Sequence, residues 1–188
     1  MGSGISSGFG GTVTLDATLV DHNAASSPTF AGGAGIDNGG TITLNRSQVA
    51  GNTATSPGTA SAAIYHVGPA LNLNGSQVYG NTSNGAGVPG AGVYTGGQAT
   101  LRQSQVFANT ARNTDPNAAA EGAGIFAASG SNALIGTLVA DNRAVGPNAQ
   151  AGGIFELGTA QVTLTDSVVV ANKPDNCGPP GAIPGCPD

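Results

Sequence analysis

The chain predicts an all-β solenoid, a stack of coils built from short parallel strands, and three observations lead there. The first is a repeat that comes round six times, in TVTLDATLVDHN, TITLNRSQVAGN, ALNLNGSQVYGN, QATLRQSQVFAN, NALIGTLVADN and VTLTDSVVVAN. Leu15, Leu44, Leu73, Leu101, Leu134 and Leu164 share one column. Val20, Val49, Val78, Val106, Val139 and Val169 share a second, and Asn23, Asn52, Asn81, Asn109, Asn142 and Asn172 a third. Successive asparagines lie 29, 29, 28, 33 and 30 residues apart. A period in this range marks units that bury their apolar faces only against their neighbours. The second observation is composition: 32 Gly, 11 Pro, no Trp and 8% charged residues in 188. So little charge disfavours amphipathic helices and suits strands joined by turns. The third is a period-2 alternation of apolar and polar residues inside each repeat.

The elements follow in order. Residues 1–4 read as an expression leader, residues 5–173 as six coils, and residues 174–188 as a closing tail. In Thr41-Ile42-Thr43-Leu44 the alternation points Ile42 and Leu44 inward. After a bend, Ser47 and Val49 continue the inward set while Gln48 and Ala50 face out. A third strand contains Ala34-Gly35-Ile36, repeated as Ala62-Ala63-Ile64, Ala91-Gly92-Val93, Ala123-Gly124-Ile125 and Gly152-Gly153-Ile154. Three strands per coil are therefore expected, stacked at about 4.8 Å. Between the asparagine and the third strand lies a loop of variable length. Residues 53–61 and 82–90 are short versions, and residues 110–122 the long one. The asparagine column predicts a ladder of stacked amides at a tight bend, in a residue that tolerates left-handed backbone. Ser47, Ser76, Ser104 and Ser167, with Thr18 and Thr137, form a parallel hydroxyl column.

Coils of the form Gly-Ile-x-x-Gly…Thr-x-Thr-Leu-x-x-Ser-x-Val-x-x-Asn resemble the repeats of the pectate-lyase-like superfamily, over residues 5–172. The tail from Pro174-Asp175-Asn176-Cys177 to Pro184-Gly185-Cys186 resembles the closing segment of secreted bacterial β-helix proteins without an assigned activity. The resemblance implies a right-handed parallel β-helix of about six coils, each of three short strands. It does not choose among the lyases, hydrolases and adhesins that share the fold. The resembling lyases hold calcium on acidic residues and use a basic residue to abstract a proton; the hydrolases use clustered carboxylates. Both need charged groups gathered on one face.

Outward positions beside the third strand read as Asp37, Tyr65, Tyr94, Phe126 and Phe155, then Asn38, His66, Thr95, Ala127 and Glu156. The two carboxylates there, Asp37 and Glu156, are four coils apart, roughly 19 Å at the strand spacing. Asp16 and Arg46, one coil apart, are expected to form an exposed ion pair. Arg112, Asp115 and Glu121 share the long loop and are the candidate catalytic group; no metal or other cofactor is expected. The stripe Tyr65, Tyr94, Phe126 and Phe155, with His66 beside it, is the candidate ligand-binding surface. Aromatic rings hold sugars by apolar contact without any catalytic group; the opposing reading has the loops folding over the stripe. Thr12-x-Thr14 and Thr41-x-Thr43 start a threonine ladder similar to that of ice-binding solenoids, which breaks after two coils.

With Lys+Arg 5 against Asp+Glu 10, the chain lacks the basic clusters that nucleic acid requires. No apolar run is long enough for a membrane span. Cys177 and Cys186, without a nearby third Cys or His, read as a disulfide, which places the chain in a secreted or cell-surface, extracytoplasmic compartment. The first coil has no polar cover ahead of Ile5, so the chain is expected either to be the C-terminal part of a longer β-helix or to self-associate end to end at that coil. The functional expectation is a non-catalytic scaffold that binds carbohydrate or a protein partner along its aromatic stripe. The alternatives are a polysaccharide lyase or hydrolase, and an ice-binding solenoid.

Overall fold

The computed structural model describes residues 3–187 of the chain; residues 1 and 2 of the expected leader, and residue 188, lie outside it. The described residues form a parallel β-solenoid of about six coils without a helix. Its stacked sheets hold seven, six, six and five strands. In the second coil the strands are Ile36–Asn38, Thr41–Asn45, Gln48–Ala50 and Thr53–Thr55, which belong to sheets we call A, B, C and D. Every neighbour is parallel and in the register of the repeat: Leu44 sits between Leu15 and Leu73, Val49 between Val20 and Val78.

The first five coils therefore have four principal strands rather than three, the last keeps three, and some add a short further strand, such as Phe30–Gly32 paired with Thr59–Ser61. The fourth strand occupies the first part of the segment expected to be loop. Its inward residues are Ala25, Ala54, Ser83, Ala111 and Ala144, all buried. These side chains are too small to stand out as core in the sequence, yet their alternation with exposed or half-buried neighbours is regular. Small inward groups let this side of the coil narrow against its own short strands. The central core is aliphatic, with Ile42, Leu44, Ile64, Leu71, Leu73 and Leu134 fully buried. Truncating one of these to Ala typically costs about 2–5 kcal/mol.

Bends are made by positive φ, and not at the asparagine itself. The residue before each Asn of the column is left-handed: His22, Gly51, Gly80, Ala108, Asp141 and Ala171. So is the residue before each Ser or Thr of the hydroxyl column: Ala17, Arg46, Gly75, Gln103, Gly136 and Asp166. Bend and ladder thus divide the labour between adjacent residues. The first turns the chain, and the second drops its side chain inside to satisfy the backbone groups the turn leaves open.

The ladder runs the length of the stack. Asn52 Nδ2 donates to Asn81 Oδ1 at 3.1 Å, Asn81 to Asn109 at 2.8 Å, Asn109 to Asn142 at 2.9 Å and Asn142 to Asn172 at 2.9 Å. Each Oδ1 also accepts the backbone N–H of the preceding coil's Asn, as Asn81 Oδ1 does from Asn52 at 2.9 Å. Room for the amides comes from the glycine before the sheet A strand. A Cβ on Gly92, Gly124 or Gly153 would lie 3.0, 2.8 or 2.9 Å from Nδ2 of Asn109, Asn142 or Asn172.

At the C-terminal end, Cys177–Gly178 adds a seventh strand to sheet A beside Ile154–Phe155. Asn172 Nδ2 donates to Asn176 Oδ1 at 3.1 Å, so the tail also terminates the ladder. The Cys177–Cys186 disulfide closes the loop carrying Ile183, which is buried in the main core.

Candidate functional site

The expected aromatic stripe exists as a contiguous column on the outer side of sheet A. Tyr65 pairs in register with Tyr94, Tyr94 with Phe126 and Phe126 with Phe155. The rings stack at centroid separations of 4.6, 5.5 and 5.5 Å, with interplanar angles of 20°, 10° and 8°. Phe30, on the short strand Phe30–Gly32, adds an edge-on contact with Tyr65 at 5.3 Å. Each inner ring therefore spends both faces on its neighbours, and what points outward is the ring edge.

Exposure divides the stripe in two. Phe126 and Phe155 are only 4% and 5% exposed and form a small core of their own with Ala151. Tyr65 and Tyr94 are half-buried, beside the half-buried Asp37 of the preceding coil. Burial, with smaller contributions from Tyr94 and Asp37, pushes the Tyr65 hydroxyl up to about 12; burial also raises Asp37 above the usual carboxylate range. The open part of the strip thus consists of two neutral phenols and one carboxyl, a hydrogen-bonding edge rather than a row of bare ring faces.

His66 is not on this surface. The column Asn38, His66, Thr95 and Ala127 is fully buried and faces inward, two residues on from the inward Ile36, Ile64, Val93 and Ile125, as strand alternation requires. Asn38 Nδ2 donates to His66 Nδ1 at 2.8 Å and to Gly40 O at 2.9 Å. That leaves the His66 proton on Nε2, beside the backbone of Gly68 and Gln98 but without a well-formed hydrogen bond. Burial holds the imidazole below its usual pKa. Asn38 Oδ1 accepts from Gly40 N at 3.2 Å, and Glu156 Oε2 takes Val162 N at 2.7 Å. The column satisfies the corner between sheets A and B.

The long-loop residues Arg112, Asp115 and Glu121 form no ion pair with one another. Arg112 is exposed on sheet D, and Asp115 Oδ1 instead accepts the backbone N–H of Asn117 at 2.8 Å. Glu121, half-buried with its carboxyl pushed up by burial, pairs through its backbone with Pro89. Among the described residues the one close contact between a basic and an acidic side chain joins the sequence neighbours Asp21 and His22, at 3.0 Å. The expected Asp16–Arg46 pair is therefore not made; Asp16 Oδ1 accepts from Asn45 Nδ2 at 2.8 Å. No three of His, Cys, Asp and Glu gather at metal-binding distance among the described residues.

A second aromatic pair was not singled out from the sequence. Tyr79 and Phe107 stack at 5.0 Å and 5° on the outside of sheet C. Its signal is an aromatic residue in the same column of successive repeats, SQVYGN and SQVFAN. Tyr79 Oη donates to Gln48 Oε1 at 3.1 Å, and Gln77 Nε2 to Gln105 Oε1 at 3.3 Å, so the outward glutamines of this sheet are partly hydrogen-bonded. The described residues contain no helix that is long and apolar enough to cross a membrane. No protein-family model, no curated protein and no solved structure matches the chain.

Proposed function

We propose that the chain is a non-catalytic scaffold, a stiff β-solenoid that offers its outer strips to a carbohydrate or protein partner. The observation that carries this reading is the dispersal of its reactive groups. Among the described residues no three of His, Cys, Asp and Glu gather at one point, and the candidate catalytic residues Arg112, Asp115 and Glu121 make no ion pair with one another. Acid–base chemistry needs such groups within hydrogen-bond reach of one reacting centre. The disulfide favours an extracytoplasmic setting, where such bonds persist.

The contact surface we assign is the open end of the aromatic strip, Tyr65, Tyr94 and Asp37. With the ring faces stacked on one another, recognition there rests on the phenol and carboxyl edges, which suit the hydroxyls of a sugar chain. A binding assay across a broad set of polysaccharides tests this, with Tyr65→Phe and Asp37→Asn as variants that keep the packing. Loss of binding in either variant, with no release of unsaturated or reducing sugar, is the expected result. Turnover abolished by Asp115→Asn or Glu121→Gln would instead identify a lyase or hydrolase working from the long loop.

A further inference from the structure

On the outer side of the bend between sheets B and C lies a groove of about 420 Å³. Arg46 of the second coil and Arg102 of the fourth both line it, with Asn74 and Gly75 of the third coil between them. Arg46 has a carboxylate available one coil back, yet Asp16 and Arg46 form no ion pair, and Asp16 is taken by Asn45. The side chain runs the other way. A Cβ built on Gly75 would lie 3.9 Å from Arg46 Cγ, so the Arg46 stem reclines over the glycine, toward the coil that carries Arg102. Gln103 reclines in the same direction over Gly136, at 3.8 Å, which leaves the Gly75 notch uncovered from the far side. Two exposed guanidinium groups, neither in an ion pair among the described residues, thus share one notch in a chain of net charge −5.

We propose that Arg46 and Arg102, across the notch at Gly75, form a binding site for an oxyanion such as a sulfate or carboxylate group. The planar fork of a guanidinium matches the paired oxygens of such groups. An anion between the two arginines also turns their mutual repulsion into attraction. Asn74 lines the same groove and supplies an amide; its Nδ2 is engaged with Asn45 Oδ1 at 2.9 Å. Asp16 at the groove's end is the one carboxylate that competes. The site is independent of the aromatic strip, which lies on sheet A.

Titration calorimetry with sodium sulfate and with sodium acetate, at constant ionic strength, tests the site. Saturable binding is expected, weakened about tenfold by Arg46→Gln or Arg102→Gln and abolished by both together, the order expected when one charged hydrogen-bond partner is lost. Asp16→Asn should tighten it, whereas Arg112→Gln and Arg143→Gln, outside the groove, should leave it unchanged. Both sites of substitution are exposed, and an unchanged thermal midpoint in chloride shows that the variants fold. Sulfate stabilises proteins generally by exclusion, so the difference between wild type and the double variant is the quantity that counts. Comparing dextran sulfate with free sulfate separates the sources: tighter binding per group by the polymer assigns the site to a substituent on a chain, and equal binding assigns it to a free anion. Absence of saturable binding to any of these probes, or binding undiminished in the double variant, overturns the proposal.

Discussion

Asn81 shows how much one side chain carries in a repeat. Its Nδ2 donates to Asn109 Oδ1 at 2.8 Å and to Val49 O at 3.1 Å, and its Oδ1 accepts two N–H groups from Asn52. Asn81→Ala strands donors and acceptors in the two flanking coils and is expected to cost about 1–3 kcal/mol. Asn74→Ala, on the outer amide row, is expected to cost less than about 0.5 kcal/mol. Chemical denaturation of the two variants checks the contrast. His66 makes a second residue-scale prediction. Its usual pKa is 6.5 and burial lowers it in the folded state. Above that value the imidazole is neutral in both states. As the pH falls below it, the unfolded chain takes up a proton that the folded chain refuses, and stability declines until the folded pKa is reached. The limit is about 1.4 kcal/mol per pH unit. Asp37 and Glu121, both raised by burial, act in the opposite direction at lower pH, favouring the fold as they become protonated. Denaturation midpoints at pH 7.5 and 5.5 should therefore fall more steeply for wild type than for His66→Gln, and parallel slopes would contradict the assignment.

At the scale of elements, the glycine of sheet A and the amide ladder are one device. Gly124→Ala would put a Cβ 2.7 Å from Gly153 O and 2.8 Å from Asn142 Nδ2, so a loss of about 1–3 kcal/mol is expected from overpacking. The third coil already carries Ala63 at this position, and Ala63→Gly should change stability much less; thermal melts of both decide it. The columns of Leu, Val and Asn were legible because each is a large or chemically distinct side chain at a constant interval. The fourth strand was not, because Ala54, Ser83 and Ala111 carry no hydrophobic signal, and the segment was read by its variable length. The inward phase of Asn38 and His66 was available from alternation after Ile36, but polar residues at a strand end also suit an outward reading. Coverage of Phe126 and Phe155 depends on how later segments such as Ala151 fold back, which no local pattern encodes. The direction of Arg46 is set by the absent side chain at Gly75 in the next coil.

For the whole molecule, the two ends of the stack differ. The C-terminal end is covered by Ile183 and the disulfide loop, whereas Ile5, Val13 and Leu15 of the first coil are only partly buried and Leu19 is 55% exposed. Reducing Cys177–Cys186 should free the cover and lower stability by about 2–3 kcal/mol, the range for a short closed loop. A thermal midpoint insensitive to reductant would show that Ile183 holds without the bond.

The direction of the ladder has a consequence for length. Each amide donates toward the C-terminal end, from Asn23 through to Asn176, so every junction between coils is chemically the same joint. Residues 53–81 make one full period, and their removal would bring Asn52 against Asn109 with donor and acceptor still matched. The molecule is then a ruler graduated in steps of about 4.8 Å. A shortened chain of five coils should fold with the same strand signature in circular dichroism, and a cut of half a period should not. The distance between whatever is held at the two ends is in this sense a number of repeats, adjustable without redesigning the joint.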